Sequence, residues 1–211
     1  MPQPACSVII RSYNEEKYLG RLLEGIAQQT VKDVEIILVD SGSTDGTLTV
    51  AARYPVRVVH IAPEEFTFGR SLNLGIQAAS AELLVFASAH VYPVYPDWLE
   101  KLLAPFADPQ IALVYGKQRG GPSSKYSERQ IFASWYPDDA QQYQESPFCN
   151  NANAAVRRAL AIEPPYNETS PGLEDLDWAT RMLNAGYKIH YAPDAETIHA
   201  PEATPRAVFT R

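Results

Sequence analysis

Asp40 closes the run IILVD of residues 36–40, and the small, polar, glycine-bearing turn SGSTDGT follows it. Four apolar residues ending on a carboxylate deliver an Asp from a buried parallel strand to the open end of a sheet. Open α/β sheets bind their ligands there. The same residue types also build turns and helix starts, with Ser43, Thr44 and Asp45 as candidate caps for the next helix. Cys6–Ile10 is a second apolar strand and opens onto Arg11–Glu16, RSYNEE. This turn lacks the glycines of a dinucleotide site and the Gly-Lys-Ser/Thr of a P-loop. Its polar side chains suit the reading of a base and ribose. Glu174-Asp175 follows Pro171-Gly172 at a predicted helix start. Such a pair favours a helix N-terminus or supplies a proton acceptor. His90 lies in the loop Ser88–Pro96 after a predicted strand and His199 on the last predicted strand, and a lone histidine is usually a hydrogen-bonded core or surface residue.

The elements that must position these groups alternate. Strands are predicted at Cys6–Ile10, Val34–Val39, Val56–Ile61, Leu83–Ala87 and Ile111–Tyr115. Helices are predicted at Tyr18–Gln29, Thr47–Ala52, Arg70–Ala79 and Trp98–Phe106 between them. In the first helix Leu19, Leu22, Leu23 and Ile26 share one face. This order implies a mostly parallel sheet with helices on both faces. Periodicity weakens from Gly116 to Pro147, with a turn at Gly120-Gly121-Pro122. Asn151–Val156 reads as a strand. Asp175–Ala185 reads as a helix with Leu176, Ala179 and Leu183 on one side. Lys188–Ala192 and Thr197–His199 read as two short strands.

The chain has 211 residues and a formal net charge of -7, which argues against a polyanion such as nucleic acid as the main partner. Its two cysteines, Cys6 and Cys149, form no disulfide framework or zinc spacing and point to a reducing cytoplasm. The N-terminal residues do not read as a signal peptide, and no apolar run is long enough to span a bilayer. Peripheral membrane contact stays open.

Four motifs then stand in series: SVIIRSYNEEKYLGRLL, IILVDSGSTDGT, LLVFASAHVYPVYPDWLEKL and GLEDLDWATRMLNAGYKIHYAP. In order and spacing they resemble family 2 glycosyltransferases, from about Cys6 to His199. FGRSLNLGI, VYGKQ and WYP look most like the bacterial polysaccharide branch that includes rhamnosyltransferases. The resemblance implies an α/β GT-A fold in one domain over 1–211, with a nucleotide-binding half to about 116 and an acceptor-binding half from about 117. It implies an inverting transfer from a UDP-, dTDP- or GDP-linked sugar to a saccharide or lipid-linked acceptor. The setting would be cell-surface polysaccharide synthesis in the cytoplasm, at the inner face of the membrane.

Residue by residue, the resemblance implies that Ser12, Tyr13, Asn14, Glu15 and Asp40 bind base and ribose. Arg70 would lie near the diphosphate, and Ser88 beside the nucleotide. Asp175 would be the catalytic base, with Glu174 beside it or on the acceptor. This chain departs from the family twice. Ser41 replaces a second Asp after strand two. Ser88-Ala89-His90 replaces the Asp-x-Asp that holds Mg²⁺ or Mn²⁺ in relatives. His90 falls at the metal-ligand position and His199 resembles a second ligand, a pair better suited to Mn²⁺ than to Mg²⁺. Without a metal, the diphosphate would rest on Arg70, Lys117 or Arg119. Tyr126, Trp135, Tyr136 and Tyr143 are candidates for stacking on sugars or for closing the core. Asn150, Asn151 and Asn153 would orient hydroxyls or form a turn. The lost Asp-x-Asp also admits a non-catalytic nucleotide- or glycan-binding relative. A sugar nucleotidyltransferase would want a Gly-rich basic loop where RSYNEE stands.

Overall fold

Alternation along the first strands sorts their side chains to two faces. In β1 (Cys6–Ser12) Val8 and Ile10 point one way and Ile9 the other; in β2 (Val34–Asp40) Ile36 and Leu38 oppose Ile37 and Val39. β4 (Leu83–Ser88) repeats this, with Val85 and Ala87 opposing Leu84 and Phe86. Each face is covered by helices. The amphipathic α1 (Leu19–Ala27), the short α2 (Thr47–Ala51) and α4 (Trp98–Leu103) bury their apolar residues on one side. On the other side lie α3 (Phe68–Ala78), α6 (Arg158–Ile162) and α7 (Glu174–Asn184). The computed structural model describes residues 3–200.

β3 (Val56–His60), β2, β1 and β4 are mutually parallel, as the alternating elements imply. Beyond β4 the sheet is mixed. β8 (Asn153–Arg157) runs antiparallel to both β4 and β6 (Ile111–Gly120). β9 (Lys188–His199) is parallel to β6, and β5 (Val91–Pro93) is antiparallel to β9. The excursion after β6 causes this. The chain leaves the sheet at the carboxyl end of β6 and re-enters at the same edge, so β8 must run the other way. That excursion, where periodicity fails, holds α5 (Tyr126–Trp135) and β7 (Gln141–Gln144), which pairs with β9. Lys188–Ala192 and Thr197–His199 belong to one strand, β9. Their register against β6 shifts between Gly116 and Gln118, where Pro193–Glu196 bulges out. In α7 the buried apolar residues are Trp178, Ala179 and Met182, rather than Leu176 and Leu183.

The register collects the strand ends. Ser12 pairs with Asp40, Arg11 with Ser88, Gly120 with His199, and Val91 with His199. Because β8 is reversed, the turn 150–152 that precedes it lands on the same edge. Close packing of α3 holds this edge from below. A Cβ on Gly75 would come within 2.4 Å of Ile9 Cγ2 and 3.3 Å of Val39 Cγ2. Gly75→Ala is therefore expected to destabilise the protein by about 1–3 kcal/mol in urea unfolding, despite alanine's better helix propensity. A neutral or stabilising result would mean that α3 lies less tightly on β1.

Candidate active site

A cleft of about 400 Å³ opens at this edge. Its walls include Arg11, Ser12, Tyr13 and Glu15 after β1, Ser41 after β2, and Ser88 and His90 after β4. The turn Asn150–Ala152, the α7 start Gly172–Asp175 and His199 close it. Residues from opposite ends of the sequence thus share one cavity.

The turns after β1 and β2 are laced together. Asn14 N–H donates to Ser43 Oγ at 2.9 Å, and Thr44 N–H to Asn14 Oδ1 at 2.8 Å. Glu15 N–H donates to Thr47 Oγ1 at 2.7 Å, and Glu16 N–H to Asp45 Oδ2 at 3.1 Å. Asn14 sits at φ 54°, a left-handed conformation that Asn tolerates. Its side chain is spent on this lacing. Ser43 and Thr44 serve β1's turn, while Asp45 Oδ1 accepts from Thr47 N–H at the start of α2. Asp40 divides its carboxylate. Oδ2 accepts from Gly42 and Ser43 N–H, both at 3.1 Å, and so shapes the turn. Oδ1 is buried without a protein partner, as is Ser12 Oγ beside it. Buried polar atoms are rarely left so; Ser12 lines the cleft and suits a ligand's hydroxyl or amide, whereas Asp40 lies behind Ser41 and is not itself a cleft wall.

His90 Nδ1 lies 2.6 Å from Glu15 Oε1, and His199 Nδ1 lies 2.9 Å from Gln118 Oε1. The two rings stand 4.9 Å apart between centroids. A carboxylate can only accept, so Nδ1 is the His90 nitrogen that donates to Glu15. No group of three or more His, Cys, Asp or Glu is arranged for a metal among the described residues. His90 and His199 are thus two neighbouring imidazoles on the cleft wall, short of a complete ligand set.

α7 presents the two acids. Leu173 precedes it at φ 61° and is 69% exposed at the cleft rim. A non-glycine residue held there marks a backbone constrained by its surroundings. It turns Glu174 and Asp175 inward. Glu174 Oε1 meets Arg11 Nη1 at 3.1 Å, and the Arg11 guanidinium also lies 5.3 Å from the Phe68 ring centroid. Asp175 keeps its carboxyl above the ordinary range, first because it is buried and second because Glu174's charge stands beside it. The N–H groups of Leu176 and Asn151, and Arg11's charge, oppose that shift.

Arg70 lies elsewhere. On α3 it pairs with Glu65 at 3.3 Å and Glu168 at 3.4 Å, outside the cleft walls. Lys117 and Arg119 line a neighbouring groove of about 430 Å³ and pair with Asp138 and Glu196. Tyr136 is buried in the core, where its hydroxyl takes the Gln118 amide at 3.0 Å, while Tyr126, Trp135 and Tyr143 are exposed. Arg11, Phe66, Phe68 and Asn151 carry more of the cleft than the sequence indicates. A basic residue near the end of a buried strand is the same kind of signal as Asp40, and it marks Arg11.

The glycosyl transferase family 2 model matches residues 7–163. The chain belongs to this family. It is 29% identical to the O-antigen chain rhamnosyltransferase RfbN of Salmonella typhimurium, over 97% of this chain and 69% of that protein. It is 28% identical to the O-antigen chain rhamnosyltransferase WbaN of Salmonella anatum, over 99% of this chain and 70% of the relative. This glycosyltransferase therefore falls with the bacterial polysaccharide branch. Among solved structures, it superposes on the mannosyltransferase PcManGT of Pyrobaculum calidifontis, determined with GDP-Man and Mn²⁺. The TM-score is 0.76 at 22% identity, covering 99% of this chain and 60% of that one. S. aureus TarS 1-349 with UDP-GlcNAc gives a TM-score of 0.75 at 18% identity, covering 98% and 61%. These likenesses establish the GT-A fold. The chain spans about 60% of the length of these solved chains. Among the described residues, no helix is long and apolar enough to cross a membrane.

Proposed function

We propose that this chain transfers a sugar from a nucleotide-diphosphate donor to an acceptor hydroxyl with inversion, in cell-surface polysaccharide synthesis. The observation that carries this is Asp175: a cleft carboxylate with a raised pKa, on the sheet edge that also presents Asp40, Ser12 and His90. The base and ribose lie against the turns after β1 and β2, where Ser12 Oγ awaits a partner. The diphosphate lies near His90 and His199. A divalent ion bound by the two imidazoles would neutralise charge on the leaving diphosphate. Asp175 takes the proton of the acceptor hydroxyl as its oxygen bonds to the anomeric carbon. The bond from that carbon to the diphosphate oxygen breaks on the opposite face, and the nucleoside diphosphate leaves. The acceptor is a saccharide, free or lipid-linked. The chain acts as one unit, donor half before about residue 116 and acceptor half after it.

The test is a titration with UDP-, dTDP- and GDP-linked sugars, in Mn²⁺, in Mg²⁺ and with chelator. Nuclear magnetic resonance then reports the anomeric configuration of the product. Binding, inverted product and stronger support by Mn²⁺ than by Mg²⁺ are expected. Binding with no turnover across saccharide acceptors would make the chain a glycan- or nucleotide-binding module. Retained configuration would remove Asp175 as a base acting in a single displacement.

A further inference from the structure

Three asparagines stand at the entry to β8, and the fold uses them differently. Asn150 shapes the turn: its Oδ1 accepts from Ala152 N–H at 2.9 Å, and its carbonyl from Asn153 N–H at 3.1 Å. Asn153 is a structural hub. Its Oδ1 accepts from Trp98 Nε1 at 2.9 Å, and its Nδ2 donates to the carbonyls of Ala195 at 2.9 Å and Lys117 at 3.1 Å. Asn151, between them, is 1% exposed, yet neither Nδ2 nor Oδ1 has a partner in the protein. It lines the catalytic cleft, and its own N–H is held by the Asp175 carboxylate.

A carboxamide buried with both ends unengaged is costly, and the fold gains nothing from it. Its backbone gives no reason for an Asn, since the left-handed non-glycine residues are Asn14, Asp33 and Leu173 among the described ones. The turn that carries it is clamped on both sides. The amide is therefore held ready beside the base. An Asn side chain donates at Nδ2 and accepts at Oδ1, which matches two neighbouring hydroxyls of a pyranose, one accepting and one donating.

We propose that Asn151 is a specificity-determining residue whose carboxamide reads a hydroxyl pair on a sugar ring next to Asp175. The pair belongs to the transferred sugar or to the acceptor sugar. This rests on the transferase reading. A site whose buried polar groups are built for hydroxyls discriminates strongly against a ring lacking them, because those groups are then stranded.

Asn151→Leu separates the possibilities, since it keeps the bulk and removes the amide. The melting temperature is expected to rise, because an unsatisfied buried amide is lost. Affinity for free UDP, dTDP and GDP is expected to stay as in the wild type. If the donor sugar is read, affinity for the preferred nucleotide sugar falls about 10- to 100-fold, towards that of the free nucleotide. If the acceptor sugar is read, donor affinity holds and kcat/KM for a saccharide acceptor falls by the same factor. A lowered melting temperature, or a variant matching the wild type in both arms, overturns the assignment alone. A wild type that binds and turns over none of the UDP-, dTDP- or GDP-linked sugars overturns the transferase reading, and this one with it.

Discussion

Asp175→Asn is expected to cut sugar transfer by about 10²–10⁴-fold while nucleotide-sugar binding survives. Asn retains an Oδ1 that can accept from Leu176 N–H, so the start of α7 keeps its shape. What it loses is the ability to take a proton. The same change is expected to stabilise the protein near neutral pH. The folded Asp175 holds its proton to higher pH than the unfolded chain, whose Asp titrates near 3.8. Above the unfolded value the native state thus binds more protons, and stability falls as pH rises through the raised folded value. Asn carries no such charge. The melting-temperature advantage of the variant should be present at neutral pH and vanish once the pH drops below about 4, where both side chains are neutral. Turnover within tenfold of the wild type would remove Asp175 from the chemistry. A variant that melts lower at pH 7 would mean that its ionised carboxylate is stabilised by the site rather than strained by it.

The convergence behind this expectation was largely legible in the chain. Asp40 follows an apolar run, and a run with that ending has one place to go in a parallel sheet. Ser12 and Ser88 follow from the same rule applied to β1 and β4. Sequence cannot show how a carboxylate is divided, and Asp40 both shapes its turn and leaves Oδ1 open. It also could not rank Asn150, Asn151 and Asn153, because their roles depend on partners as distant as Trp98 and Ala195. α5 escaped because none of its residues is buried, so no apolar face is written into its spacing. The break in β9 looked like a strand end at Pro193, where the structure has a bulge in a continuing strand. The direction of β8 is a property of the preceding excursion, not of its own five residues.

Arg11→Met is expected to destabilise the protein by about 3–5 kcal/mol, because it strands a buried charge rather than merely removing a contact. The Glu174 side chain is 6% exposed, and Arg11 is its one ion-pair partner among the described residues. Methionine fills the space against Phe68 but cannot answer the carboxylate. The double variant Arg11→Met/Glu174→Leu should recover most of the loss, since removing both members of a buried pair is close to neutral. Kinetics supply the second reading. Arg11 holds the Asp175 carboxyl down and Glu174 pushes it up. The acidic limb of kcat/KM against pH should therefore move to higher pH in Arg11→Met and to lower pH in Glu174→Gln. Limbs that move together would mean that the pair supports the helix start without setting the proton affinity of the base.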